Sequence, residues 1–224
     1  MYAYERMVAD DGYEVMLFPL PYMNISQGEN GSYSHQGTLN IDFLGWGANG
    51  RITQAPVYAP CSCKCVSIVP GSANGRVFQS INKVHTPQGL QHVCFMNFHD
   101  NNPIASLNQT FTQGDLIAHT GTAGNVTGDH IHLNTSFGTY QGRTEIQGHV
   151  CLVNSSHIYQ TCYVNDTTIV NGYGYNWVNY EGEVNPPFHI FQNSHFKWVL
   201  YANKIRNKYW QLNENWYNGG ERYG

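Results

Sequence analysis

The stretch from Gly114 to Asn134, GDLIAHTGTAGNVTGDHIHLN, passes through four glycines and then sets His130 and His132 two residues apart. On an extended strand, side chains i and i+2 leave from the same face, so the two imidazoles would look at one point in space. Such a pair suits a metal site or two catalytic bases. It equally suits two polar residues on the wet face of a sheet, and the surrounding sequence has to separate these readings.

The chain has 224 residues, enough to bury a substantial core. Only 12% of residues are charged, well below the common proportion, while Tyr, Asn, Gly and Thr are abundant. That bias predicts a β-rich fold with many turns and a polar, uncharged surface. A net charge of -4 gives no general attraction for nucleic acid or for anionic membranes. No stretch is long and apolar enough to span a bilayer, and the opening MYAYERMVADDGYEV lacks the basic start and apolar core of a signal peptide. No secretion signal is therefore expected. The eleven histidines equal the Lys and Arg together, which favours a metal or acid–base site without locating it. Six cysteines are too few for a disulfide scaffold. Those of CSCKC (Cys61, Cys63, Cys65) alternate as on one strand face, where buried free thiols compete with a soft-metal site.

Strand signals dominate. Residues 39–44 (LNIDFL), 57–59, 65–69, 92–98 (HVCFMNF), 116–119 and 131–135 are short, rich in β-formers and bounded by Gly, Pro, Asn and Ser. The expected fold is all-β, mainly antiparallel, with a substrate groove and a short mixed C-terminal extension. Two prolines in EGEVNPP (181–187) mark a boundary between a first domain, 1–180, and an extension, 181–224. Within the extension only 197–210 holds a helical apolar period.

Three strands of the first domain supply the chemistry. In SHQGTLNIDF, His35 and Asp42 stand seven apart, so they would meet only if the chain bends between them, and Gly37 supplies the bend. Asp42 lies between Ile41 and Phe43, where a carboxylate needs a partner. His99 closes an apolar strand just before a turn, and His92 on the same strand competes with it. His130 and His132 follow the glycines. The inventory fits two or three ligands and one or two acid–base histidines around a catalytic metal, but spacing alone does not tell ligand from base. Zinc suits a set that mixes imidazole with one carboxylate. His85, His119, His149, His157, His189 and His195 are assigned to structure or surface.

The run of HQGTLNIDF, APVYAPCSCKCVSIV, VCFMNFHD and GDLIAHTGTAGNVTGDHIHLN, in that order, resembles the LytM/lysostaphin-type zinc endopeptidases of bacterial cell-wall peptidoglycan. The glycine-punctuated approach to G-x-H-(I/L)-H is its most specific part, and the resemblance spans roughly residues 20–140. It implies His35, Asp42 and His132 as ligands of one Zn2+ per chain, and His99 and His130 as the catalytic histidines. It implies hydrolysis of a peptide bond in a stem or cross-bridge of peptidoglycan. A bacteriophage lysin or a virion-associated protein is the member it looks most like, one present in the host cytoplasm before lysis or in the tail and acting on the wall. The extension would then contact other virion proteins or the wall. Three features depart from the family pattern: the seven-residue gap after His35, Asp129 where Pro is frequent, and Asn134 near a position often held by Glu. Two rival readings remain at this point, a non-catalytic wall-binding or virion structural module and an amidase that cuts between sugar and stem peptide.

Overall fold

A computed structural model describes residues 3, 5–164 and 168–169 of the chain, the last two by backbone only. The segment 197–210 expected to be helical and the boundary expected at 181–187 both lie outside the described residues.

One antiparallel sheet organises the domain. Its strands are β1 (Ile25–Gln27), β2 (Ile41–Phe43), β3 (Cys63–Ile68), β4 (Arg76–Ser80), β5 (Val93–Phe98), β6 (Thr110–Phe111), β7 (Ile131–Phe137) and β8 (Ser155–Ser156). They lie side by side as β6-β3-β4-β5-β7-β2-β1, with β8 also paired to β7. The all-β, antiparallel expectation therefore holds, and four of the six strand segments read from sequence (39–44, 65–69, 92–98 and 131–135) overlap strands of this sheet within a few residues. The other two, 57–59 and 116–119, match Pro56–Tyr58 and Leu116–His119, which pair with each other in a separate two-stranded sheet.

The central strands β5 and β7 are buried along nearly their whole length. A strand covered on both faces loses the apolar–polar alternation of a half-buried one. On one face Ile41, Phe43, Ile131, Leu133, Phe78 and Phe95 join the main core. The opposite face carries Met96, Phe98, Cys94 and Val77 in a second apolar cluster with Leu152. There the hairpin Arg143–Ile146/His149–Leu152 lies over the sheet. Asn134 holds it down: its side-chain oxygen accepts hydrogen bonds from Leu152 N at 2.8 Å and Ser155 Oγ at 2.9 Å. The residue at this departure from the family pattern thus has a structural task.

All six cysteines are buried free thiols. Cys61, Cys63 and Cys65 sit in the main core, where burial pushes the thiols up and keeps them protonated. The CSCKC run forms no metal-ligating group among the described residues. The helical content there is one turn, Ile158–Thr161, for which no helical period was legible in the sequence.

Candidate metal and acid–base site

The site forms where β2, β7 and β5 run side by side. Asp42 pairs directly with His132 across the β2–β7 ladder, and His132 pairs with Phe98 across β7–β5. Directly opposed residues on one sheet face lie close enough for their side chains to touch. His132 Nδ1 accordingly donates to Asp42 Oδ1 at 2.9 Å. His99 follows Phe98 at the strand end and His130 precedes β7, so both come to the same corner.

His35 is not on a strand. It lies in a run of turns before β2, with Gly37 in the left-handed region (φ 71°), so the bend expected at that glycine is present. The turn lets the seven-residue gap close on itself. His35 Nε2 ends 3.4 Å from Asp42 Oδ2. One donor atom from each of His35, Asp42 and His132 lies within 4.8 Å of the others, and all three residues are buried. Two imidazoles and a carboxylate in such a cluster are a donor set that suits zinc.

The remaining ring nitrogens are fixed by backbone carbonyls. His35 Nδ1 lies 3.2 Å from Gly28 O, His99 Nδ1 2.8 Å from Ala123 O, and His130 Nδ1 2.8 Å from Gly128 O. A carbonyl can only accept, so each ring carries a proton on Nδ1, and in the neutral form the lone pair lies on Nε2. Ordering of this kind is what metal-ligating and catalytic histidines need. The rings of His99 and His130 have centroids 4.7 Å apart, and His130 Nε2 is 3.6 Å from Asp42 Oδ1.

Electrostatics keep the set ready. Burial lowers both His35 and His99 to about 4, the partial compensation for His35 coming chiefly from Asp42 and for His99 from the Ala123 carbonyl. Both imidazoles are therefore neutral near pH 7. For Asp42 burial acts upward, but the His132 hydrogen bond and the surrounding imidazoles outweigh it and hold the carboxyl well below the usual carboxylate range. Gln27 adds a further donor at 3.2 Å and is itself tied to Ser34, beside His35.

The glycines serve backbone geometry. A Cβ on Gly121 would meet His99 O at 2.1 Å, so only glycine lets this strand edge approach. Gly121 exchanges backbone hydrogen bonds with His130 in both directions, and His99 O accepts from Ala123 N at 3.0 Å. His99 itself has φ 82°, an unfavourable conformation for a side chain, and these contacts over-determine it. Asp129, where the family often has Pro, accepts from Thr120 Oγ1 at 2.5 Å and from Gln54 N at 3.0 Å, which anchors the residue before His130.

A groove of about 940 Å³ opens over these residues. It is walled by Gln27, Tyr33 and Ser34 on one stretch and by Asn125–His130 on another, with Arg51 and His149 also on it. His149 had been assigned to structure or surface. The hairpin instead carries it to the groove, with its ring 6.2 Å from that of His35. The other described histidines stay away from the cluster: His85 pairs with Asp11, His157 with Glu29, His92 with Ser80, and His119 lies 3.8 Å from Asp100. His189 and His195 lie outside the described residues.

The chain is similar in part to known proteins. No family model matches the chain. Over 168 residues, 74% of its length, it is 38% identical to Morphogenesis protein 1 of Bacillus phage B103, and it spans 44% of that protein. Solved structures that overlap it include the catalytic domain of lysostaphin from Staphylococcus simulans, at 17% identity, 51% of this chain, 79% of that chain and a TM-score of 0.37. They also include the catalytic domain of the prophage-encoded M23 protein EnpA from Enterococcus faecalis (14%, 54% and 85%, TM-score 0.40) and a zinc-containing peptidase from Vibrio cholerae (20%, 59% and 43%, TM-score 0.38).

Proposed function

We propose that this chain is a zinc-dependent endopeptidase that hydrolyses peptide bonds of bacterial peptidoglycan and serves a phage during wall entry or host lysis. The observation that carries the reading is the joint arrangement of five residues. Asp42, His35 and His132 cluster as metal donors, while His99 and His130 present Nε2 lone pairs beside them in an open groove. Zinc, when bound, supplies Lewis-acid polarisation of a carbonyl and makes water a stronger acid at neutral pH.

The chain's own residues supply the rest. Gly28, Ala123 and Gly128 hold their imidazoles in the required tautomer before substrate arrives. Nε2 of His99 or of His130 accepts a proton as water adds to the peptide carbon. The resulting imidazolium returns a proton from the same nitrogen, first as a hydrogen bond to the developing oxyanion and then to the departing amine. Fixing the rings in advance means that little reorganisation is needed during the reaction. The groove leaves room for an extended peptide across the cluster, and its neutral polar wall at Tyr33 and Ser34 offers hydrogen bonds to a peptide backbone.

Purified Gram-positive sacculi of several wall chemotypes, digested with and without a zinc chelator, test the proposal. Chelator-sensitive appearance of new amino termini without reducing ends is the expected result. New ends at the sugar–peptide linkage would establish an amidase in its place. Absence of any release by zinc-loaded protein that still pellets with sacculi would leave a wall-binding module.

A further inference from the structure

Among the described residues that line the groove, Arg51 is the one lysine or arginine. It ends the short hairpin Trp46–Gly47/Gly50–Arg51 and is exposed. Its Nη2 donates to the backbone carbonyl of Asp129 at 3.0 Å, which sets the guanidinium against the segment that leads into His130. The carbonyl takes one N–H and leaves the rest of the planar fork for another acceptor.

No carboxylate neutralises that charge. Arg51 makes no ion pair among the described residues. The two acids that line the groove are both engaged elsewhere. Asp42 is surrounded by His35, His130 and His132. Both carboxylate oxygens of Asp129 are taken by Thr120 and Gln54, so this residue holds Arg51 through its backbone and not through its charge. Among the described residues the groove therefore carries one placed lysine or arginine cation beside His130, while its stretch at Gln27, Tyr33 and Ser34 is neutral.

A guanidinium fork in a groove recognises a carboxylate by paired hydrogen bonds. We propose that Arg51 is a specificity residue: it selects peptides with a free carboxylate, on an acidic side chain or a chain end, next to the scissile bond on the His130 side. This inference rests on the peptidase reading above. It predicts a preference for walls whose stems keep that carboxylate over walls in which it is amidated or in which uncharged glycine fills the position.

One batch of sacculi with free stem carboxylates, assayed before and after carbodiimide coupling to ammonia, tests it. The holoprotein should release amino termini about ten- to a hundredfold faster from the untreated sacculi, the scale of one charge-assisted hydrogen-bonded pair. Arg51→Gln should bring that ratio close to one. Arg51→Lys, which keeps the charge but loses the fork, should fall between. Zinc content and melting temperature of both variants show that the fold is retained. Equal rates on both substrates for the unmodified protein would overturn the inference and leave the peptidase reading standing. A preference that survives in Arg51→Gln would overturn the assignment to Arg51. No release from either substrate would overturn the peptidase reading and this inference with it.

Discussion

Asp42 and His132 face each other across two directly paired strands, with Oδ1 and Nδ1 2.9 Å apart. The sheet register alone brings them together, and His35 reaches the same carboxylate from a turn. If this trio is the metal site, Asp42→Ala should abolish stoichiometric zinc binding and reduce wall cleavage below detection. Atomic absorption on dialysed protein reads the first and amino-group release the second. The variant leaves His132 Nδ1 and Gln27 Nε2 without their acceptor, at about 1–3 kcal/mol for each, so its melting temperature is measured alongside to show that the fold is retained.

His99→Ala separates ligand from base. The protein should keep its zinc, while cleavage falls by about 10²–10⁴-fold, the range for loss of a general acid–base. Loss of zinc in this variant, measured on the same samples, would assign His99 to the metal.

The lowered imidazoles make a pH prediction for the metal-free protein. His35 and His99 are held at about 4, against 6.5 for the ordinary side chain. Between those values the unfolded chain binds protons that the folded one does not, so stability rises with pH there. The contribution is complete above about pH 6.5 and is lost as the pH falls toward 4, by at most about 1.4 kcal/mol per pH unit for each histidine. Asp42, shifted below the usual carboxylate range, adds a further loss only at still lower pH. Melting temperatures of chelated protein from pH 7 to pH 4 should fall steadily, and a flat profile would contradict the burial of neutral imidazoles.

Asp129→Ala removes the acceptor of Thr120 Oγ1 and Gln54 N. Thr120 is buried, and a buried donor left without a partner costs about 1–3 kcal/mol, whereas the exposed Gln54 can turn to water. For a chain of this size that is about 2–4 °C of melting temperature per kcal/mol. Calorimetry should record the drop with zinc stoichiometry unchanged.

Gly121→Ala should be more severe. The added methyl would collide with the His99 carbonyl, which is backbone and cannot swing aside. Displacing His99 should depress cleavage more than it depresses zinc binding, and the two assays run together check that order.

Much of this site was legible in the sequence because strand chemistry sets it. Asp42 among apolar residues and His132 two residues beyond His130 follow the period of two, and the structure places both on the face that the groove occupies. His99 could be preferred over His92 because it ends an apolar run, and His92 indeed turns to Ser80. Gly37 gave away the bend that His35 needs. What escaped depends on contacts far apart in the chain. His149 reaches the groove because Asn134 pins the hairpin carrying it, and nothing in the residues around position 149 announces that. Arg51 owes its place to the short hairpin Trp46–Gly47/Gly50–Arg51 and the Asp129 carbonyl. Strand β4, RVFQS, mixes polar and apolar residues and becomes a strand through pairing with β3 and β5.

Zinc-edge X-ray absorption of the purified protein, with the metal counted per chain, tests the central claim most directly. The account predicts one zinc per chain, bound by nitrogen and oxygen with an imidazole signature and no sulfur, and its loss in Asp42→Ala. Sulfur ligation, or zinc retained in that variant, would contradict it.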